Sequence, residues 1–123
     1  MANPNMVNVS SILGVTTYLV PTTTTATTWT ALTPSAGTIN KIASMTAANV
    51  TGTAASITVS INSATGGGGT AYRLAYQISV PGNSSLNIID KSTMIYVGEA
   101  QSIVVTSGTT NAIEMVAAYE AIS

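Results

Sequence analysis

The sequence contains no cysteine, no histidine and no phenylalanine, and only 6% of its 123 residues are charged. Without cysteine there is no disulfide framework and no thiol chemistry. Without histidine the commonest general base and the commonest metal ligand are both missing. The charged side chains are Lys41, Arg73, Lys91, Asp90, Glu99, Glu114 and Glu120, whereas a globular domain is usually about 25% charged. Three cations cannot build the patch that neutralises a run of phosphates, so a basic nucleic-acid binder is excluded. The same deficit excludes a coiled coil or a charge-covered helical bundle. Disorder is excluded as well, because 46% hydrophobic residues is too high for a chain unable to bury a core.

What fills the space is hydroxyl, methyl and amide. The chain has 14 serines and 21 threonines, and 17 alanines and 9 asparagines bring the total to half of all residues. A net charge of −1 leaves little repulsion between molecules. These features predict a protein that packs against copies of itself or a partner. The length suits one domain, and at this mass about two-thirds of the unfolded surface is buried on folding.

No secretory signal is expected, since no basic residue precedes Lys41. No apolar run approaches the roughly 18–20 residues of a membrane helix. An outer-membrane barrel would need two aromatic girdles. Tyr18, Trp29, Tyr72, Tyr76, Tyr96 and Tyr119 are too few to build them.

The first third is irregular, with Pro4, Pro21 and Pro34 and the threonine-rich stretch 22–28. Threonine is a poor helix former and a good strand former. Residues 1–37 are therefore expected to form an N-terminal arm or edge segment, and residues 38–123 the main domain. A strand over 15–20 could join either. Trp29 is the expected anchor of the arm on a partner, with Tyr18, Thr24 and Thr25 as further interface candidates.

From residue 38 the pattern has period two. Strands are predicted over 39–49, 55–62, 71–80, 86–88, 94–97, 102–107 and 112–122, separated by Gly, Pro and Asn turns. Within 39–49, Lys41, Ala43, Met45 and Ala47 share one predicted face. The cleanest alternation is Ala55, Ile57, Val59 and Ile61 against Ser56, Thr58, Ser60 and Asn62. The spacing predicts an all-β fold, an antiparallel β-sandwich or jelly roll of about seven or eight short strands. Ile57, Val59, Ile61, Leu74, Tyr76, Ile78, Ile103 and Val105 are the predicted core.

Candidate catalytic groupings fail one by one. The four carboxylates lack metal-binding spacing. Asp90 and Glu99 could meet across a hairpin, but two solvated turn residues explain them as well. Serines have no histidine to activate them, leaving only a Ser–Lys pair with Lys41 or Lys91. The glycine run 66–69 lacks the Lys-Ser/Thr of a phosphate cradle and reads as a free hairpin loop. Sequons at Asn8, Asn49 and Asn83 are no more than chance supplies in a chain so rich in Ser and Thr. Tyr72 and Tyr76 read as core; a stacking platform for sugar or single-stranded nucleic acid is the functional alternative. No catalytic residue, cofactor or metal is expected.

Three segments carry a resemblance: Val80-Pro81-Gly82-Asn83-Ser84-Ser85-Leu86, then Ile95-Tyr96-Val97-Gly98-Glu99-Ala100-Gln101-Ser102-Ile103, then Ala118-Tyr119-Glu120-Ala121-Ile122-Ser123. With the strand pair around Asn49 and Ala55-Ser56-Ile57-Thr58-Val59, their order resembles a loose group of small virion proteins of tailed bacteriophages. Many of that group infect cyanobacteria and other marine bacteria. The likeness spans residues 38–123. Glu99 and Ala100 stand where the group has an acidic Gly-Asp turn, and Ala118 where it has Ser. The resemblance implies a catalytically silent structural role in the virion. A capsid decoration or cement subunit is the first expectation, and a neck or tail component the second. Its implied partners are itself, as a homo-oligomer such as a trimer, and the major capsid protein, with no nucleic acid and no membrane. From another class, a carbohydrate-binding or adhesin module remains.

Overall fold

The period-two alternation becomes nine strands in the computed structural model, which describes residues 8–123. They are β1 (Ile12–Leu19), β2 (Thr27–Thr28), β3 (Ile39–Asn49), β4 (Ala55–Asn62), β5 (Ala71–Val80), β6 (Ser85–Ile89), β7 (Ile95–Val97), β8 (Ser102–Ser107) and β9 (Ile113–Ile122). Short 3-10 turns occupy Thr30–Leu32 and Thr65–Gly67. The fold is all-β, two antiparallel sheets packed face to face. One sheet runs β1–β9–β3–β6, with β7 also on β3, and the other runs β2–β8–β4–β5.

Strand order defines the topology. β6 pairs with the Met45–Ala48 part of β3 and β7 with its Asn40–Ile42 part. Since β9 takes the other side of β3, β6 and β7 act as one interrupted strand. The pairs β1·β9, β2·β8, β3·β6/β7 and β4·β5 are then the successive rungs of one long antiparallel hairpin. Rolled up, this hairpin sends alternate rungs to opposite sheets, and β9·β3 and β8·β4 close each sheet. That is a jelly roll.

The core lies between the sheets. Ile57 and Val59 of β4, with Ile103 and Val105 of β8, are fully buried against Ile42, Met45, Ile113 and Met115 of the first sheet. Ile61 and Leu74 are half-buried at its margin. Tyr72, Tyr76 and Ile78 are not core; they are 60%, 58% and 40% exposed. Tyr72 and Ile78 lie opposite inward-facing Ile61 and Ile57 but on the open edge of the sheet, whereas Tyr76 is displaced by register. Thr58 faces two β5 residues, Tyr76 and Gln77, and Leu74 is a second extra residue between the Val59 and Ser60 pairings. Gln77 adopts φ 49° and donates its backbone N–H to Thr58 Oγ1 at 2.9 Å. Each bulge shifts the alternation that the sequence pattern assumes to be unbroken. A bulge at Ala43 of β3 does the same, turning Ile42 inward together with Met45.

The glycine run is not a free loop. Gly67 packs against Thr28 and Val104 on the outside of the second sheet, where an added Cβ would lie 2.6 Å from Thr28 Oγ1. Its N–H donates to Ser102 Oγ at 3.0 Å, and its carbonyl accepts from Asn62 Nδ2 at 2.9 Å. This cover explains why Ser60, Asn62 and Ser102 are buried on that face.

Residues 8–37 are woven into the same two sheets. β1 is an edge strand of the first sheet and β2 of the second. The first seven residues of the expected arm lie outside the described residues. Deleting residues 1–28 should therefore leave β9 paired with β3 alone and β8 without β2, and prevent cooperative folding. Circular dichroism and a thermal melt check this; a truncated chain with a sharp transition would show that the remaining strands suffice.

Candidate interaction face

The outward positions of the first sheet follow from its register. Successive rows read Ile12–Ile122–Ile39, Gly14–Glu120–Lys41–Tyr96, Thr16–Ala118–Ser44 and Tyr18–Val116–Thr46–Asn87. Small neutral residues dominate. Four of the seven charged side chains fall here, Lys41, Glu120, Glu114 in the Ala48–Glu114 row and Lys91 at the margin; they sum to zero, with Lys41 Nζ lying 3.5 Å from Glu120 Oε1. An open hollow of about 610 Å³ crosses the face, floored by Gly14, Thr16, Ala43 and Ala118 and walled by Lys91 and Met94. Exposed apolar side chains ring it: Ile12, Tyr18, Met94, Tyr96 and Val116. The face carries no net charge, and its Lys41–Glu120 pair can be covered together, whereas buried unpaired charge is expensive.

The expected interface residues separate. Tyr18 is 78% exposed on this face. Thr24 and Thr25 are exposed in the β1–β2 connection, where Thr25 Oγ1 bonds Thr23 Oγ1. Trp29 points the other way. It is 2% exposed within the core, and its backbone N–H donates to Ile103 O at 2.8 Å. Ile12, Met94 and Val116 join the face without having been foreseen. The register places Ile12 and Val116 on the same face as Tyr18, and Met94 comes from the β6–β7 connection to line the hollow.

The remaining polar groups serve local structure. Glu99 Oε1 accepts from the backbone N–H of Gly37 at 2.8 Å. Asp90 Oδ1 accepts from Ser92 Oγ at 2.7 Å, Ser92 N at 2.9 Å and Thr93 Oγ1 at 3.2 Å. The Ser92 hydroxyl, then the Ser92 amide, holds the Asp90 carboxyl below its usual 3.8. A lowered folded value gives stability that is present above the unfolded pKa and lost as pH falls through the folded one. Asp90→Asn should therefore melt slightly below the wild type at neutral pH. The gap should close as pH falls from about 5 to 2. Paired thermal melts check this, and a gap that widened with acid would contradict it. Among the described residues, no three acidic groups are placed to hold a metal ion.

No protein-family model matches the chain, and no curated protein matches it in sequence. The likeness to tailed-phage virion proteins therefore stands on its motifs alone. Among solved structures, the chain is similar to one in the cryo-EM structure of the virus-like particle of the giant freshwater prawn Macrobrachium rosenbergii extra small virus. The identity is 15%, the match covers 99% of this chain and 85% of that one, and the TM-score is 0.40. At that score the fold assignment rests on the strand order.

Proposed function

We propose that this chain is a non-enzymatic structural subunit of a virus particle, working by contact with copies of itself and with neighbouring shell proteins. The observation that carries the reading is the outer face of the first sheet, whose two lysines and two glutamates balance and whose exposed apolar side chains are unpartnered, presented by a jelly roll. The jelly roll alone is insufficient, since lectin domains and cupins share it with viral capsids. The face adds the chemistry: small, neutral and ringed by exposed apolar side chains, as a repeated packing surface requires. Within this reading we favour a decoration or cement subunit of a tailed-phage capsid, on the resemblance of residues 38–123, over a neck or tail component. Electron microscopy of the purified protein, together with its copy number in particles, tests it. Ordered assemblies and hundreds of copies support a shell role, and a dozen or fewer copies the neck or tail. Absence from particles overturns it.

A second reading has one observation in its favour. Tyr76 is exposed on the outer face of β5 with the Arg73 guanidinium 5.2 Å from its ring centroid, while Tyr72 lies on the other face, opposite Ile61. Such a platform suits carbohydrate stacking. Binding to a glycan array that Tyr76→Ala abolishes would favour it.

A further inference from the structure

The two sheets have four edges, and three are blocked. β2 is two residues long. β5 carries two bulges, a positive-φ residue at Gln77 and the charge of Arg73. The β6/β7 edge is broken by the 90–93 turn and guarded by Lys91. β1 differs from all of them. Its eight residues contain no proline and no charge, and its pairing with β9 runs unbroken from Ile12↔Ile122 to Leu19↔Met115. Among the described residues no strand pairs with its outer side. It has none of the devices that normally keep an edge from pairing with another chain.

The phase of its hydrogen bonds can be read. Ser11 N donates to Ser123 O at 2.9 Å, and Ser123 N donates back to Ser11 O at 2.9 Å. Hydrogen-bonded and non-hydrogen-bonded pairs alternate in an antiparallel ladder. Leu13, Val15, Thr17 and Leu19 therefore direct their backbone groups to β9. Ile12, Gly14, Thr16 and Tyr18 present theirs at the open edge.

We infer that β1 pairs antiparallel with β1 of a second copy, about a two-fold axis passing through Val15. In this register Ile12 lies opposite Tyr18 of the second copy and Gly14 opposite Thr16. Every outward backbone group of the strand then finds a partner. The axis, normal to the sheet, keeps the outer faces together. It sets the exposed Ile12 and Tyr18 side chains side by side, an aromatic and β-branched pair of the kind that stabilises sheets. No like charges meet, because the strand has none. The first sheet thus continues across the axis, and the small neutral face becomes one surface twice as wide. The interface is one strand wide, so the dimer should be weak and concentration-dependent. This deepens the self-association proposed above by naming its edge.

The absence of cysteine makes the test clean. Val15→Cys places one thiol on the axis in a non-hydrogen-bonded pair, where Cα atoms are about 4.5 Å apart, within disulfide range. Thr17→Cys places a thiol on the same strand and face but about four residues from its copy. Under mild oxidation Val15→Cys should give a covalent dimer rapidly and Thr17→Cys should not. Thr16→Pro removes an outward N–H without touching the β9 ladder, and should abolish the wild-type dimer in sedimentation velocity while leaving the melting temperature near its original value. Equal slow cross-linking of both cysteine variants, with the wild type still associating, overturns this edge and leaves self-association standing. A wild type that is monomeric at every concentration overturns both. Should Thr16→Pro fail to fold, the cysteine pair still decides.

Discussion

Trp29→Ala should be among the most damaging single substitutions in the protein. Trp29 is 2% exposed and packs in the cluster that includes Leu32, Ile103 and Val105. Truncating a buried tryptophan leaves a cavity and costs about 3–5 kcal/mol. For a domain of this size that is a fall of more than about 10 °C in melting temperature. The indole Nε1 is buried without a hydrogen-bond partner among the described residues. The ring is thus held by shape rather than by its polar atom. Trp29→Phe discards that unpaired donor and should cost far less than Trp29→Ala. Equal losses would mean that the indole N–H is paired after all.

Asn49→Asp should be nearly as damaging, although it changes a single group. Asn49 is 2% exposed at the end of β3. Its Nδ2 donates to Thr53 O at 2.7 Å and Val80 O at 2.9 Å. Its Oδ1 accepts from Thr51 N at 3.0 Å and Thr51 Oγ1 at 2.7 Å. One side chain thus ties β3, the β3–β4 turn and the end of β5. A carboxylate cannot donate, so the Val80 carbonyl would lose this donor, Thr53 O would keep only Thr51 Oγ1 at 3.0 Å, and both would face a negative charge. Each buried unsatisfied group costs about 1–3 kcal/mol, and charge adds to it. The loss should be several kcal/mol at neutral pH. It should shrink as pH falls, because the buried acid's raised pKa favours the protonated folded state. A variant that melts like the wild type at pH 7 would refute the network.

Much of this architecture was legible in the residues. Ala55–Asn62 alternates strictly, and the inward Ile57 and Val59, with Ile103 and Val105 of Ser102–Ser107, are where the pattern places them. Turns with Gly, Pro and Asn mark most of the strand ends. The bulges were not legible. Tyr72, Leu74, Tyr76 and Ile78 alternate as well as any core strand, and nothing local announces that Thr58 will face two residues. Long-range registration decides that. Trp29 posed a different difficulty: a lone tryptophan beside a threonine run is equally suited to a partner's pocket and to its own core. A packing surface was expected from the scarcity of charge. Its location was not, because Ile12, Tyr18, Met94 and Val116 become neighbours only through strand pairing.

Sedimentation velocity of the wild-type protein, over a range of concentrations and at about 0.05 and 1 M salt, tests most directly whether this chain works by neutral self-contact. Exposed charge pairs are largely screened at the higher salt, while apolar and backbone contacts persist. The account predicts species heavier than the 12.4 kDa monomer, growing with concentration and equally populated at both salts. A single 12.4 kDa species throughout, or association that vanishes at high salt, would contradict it.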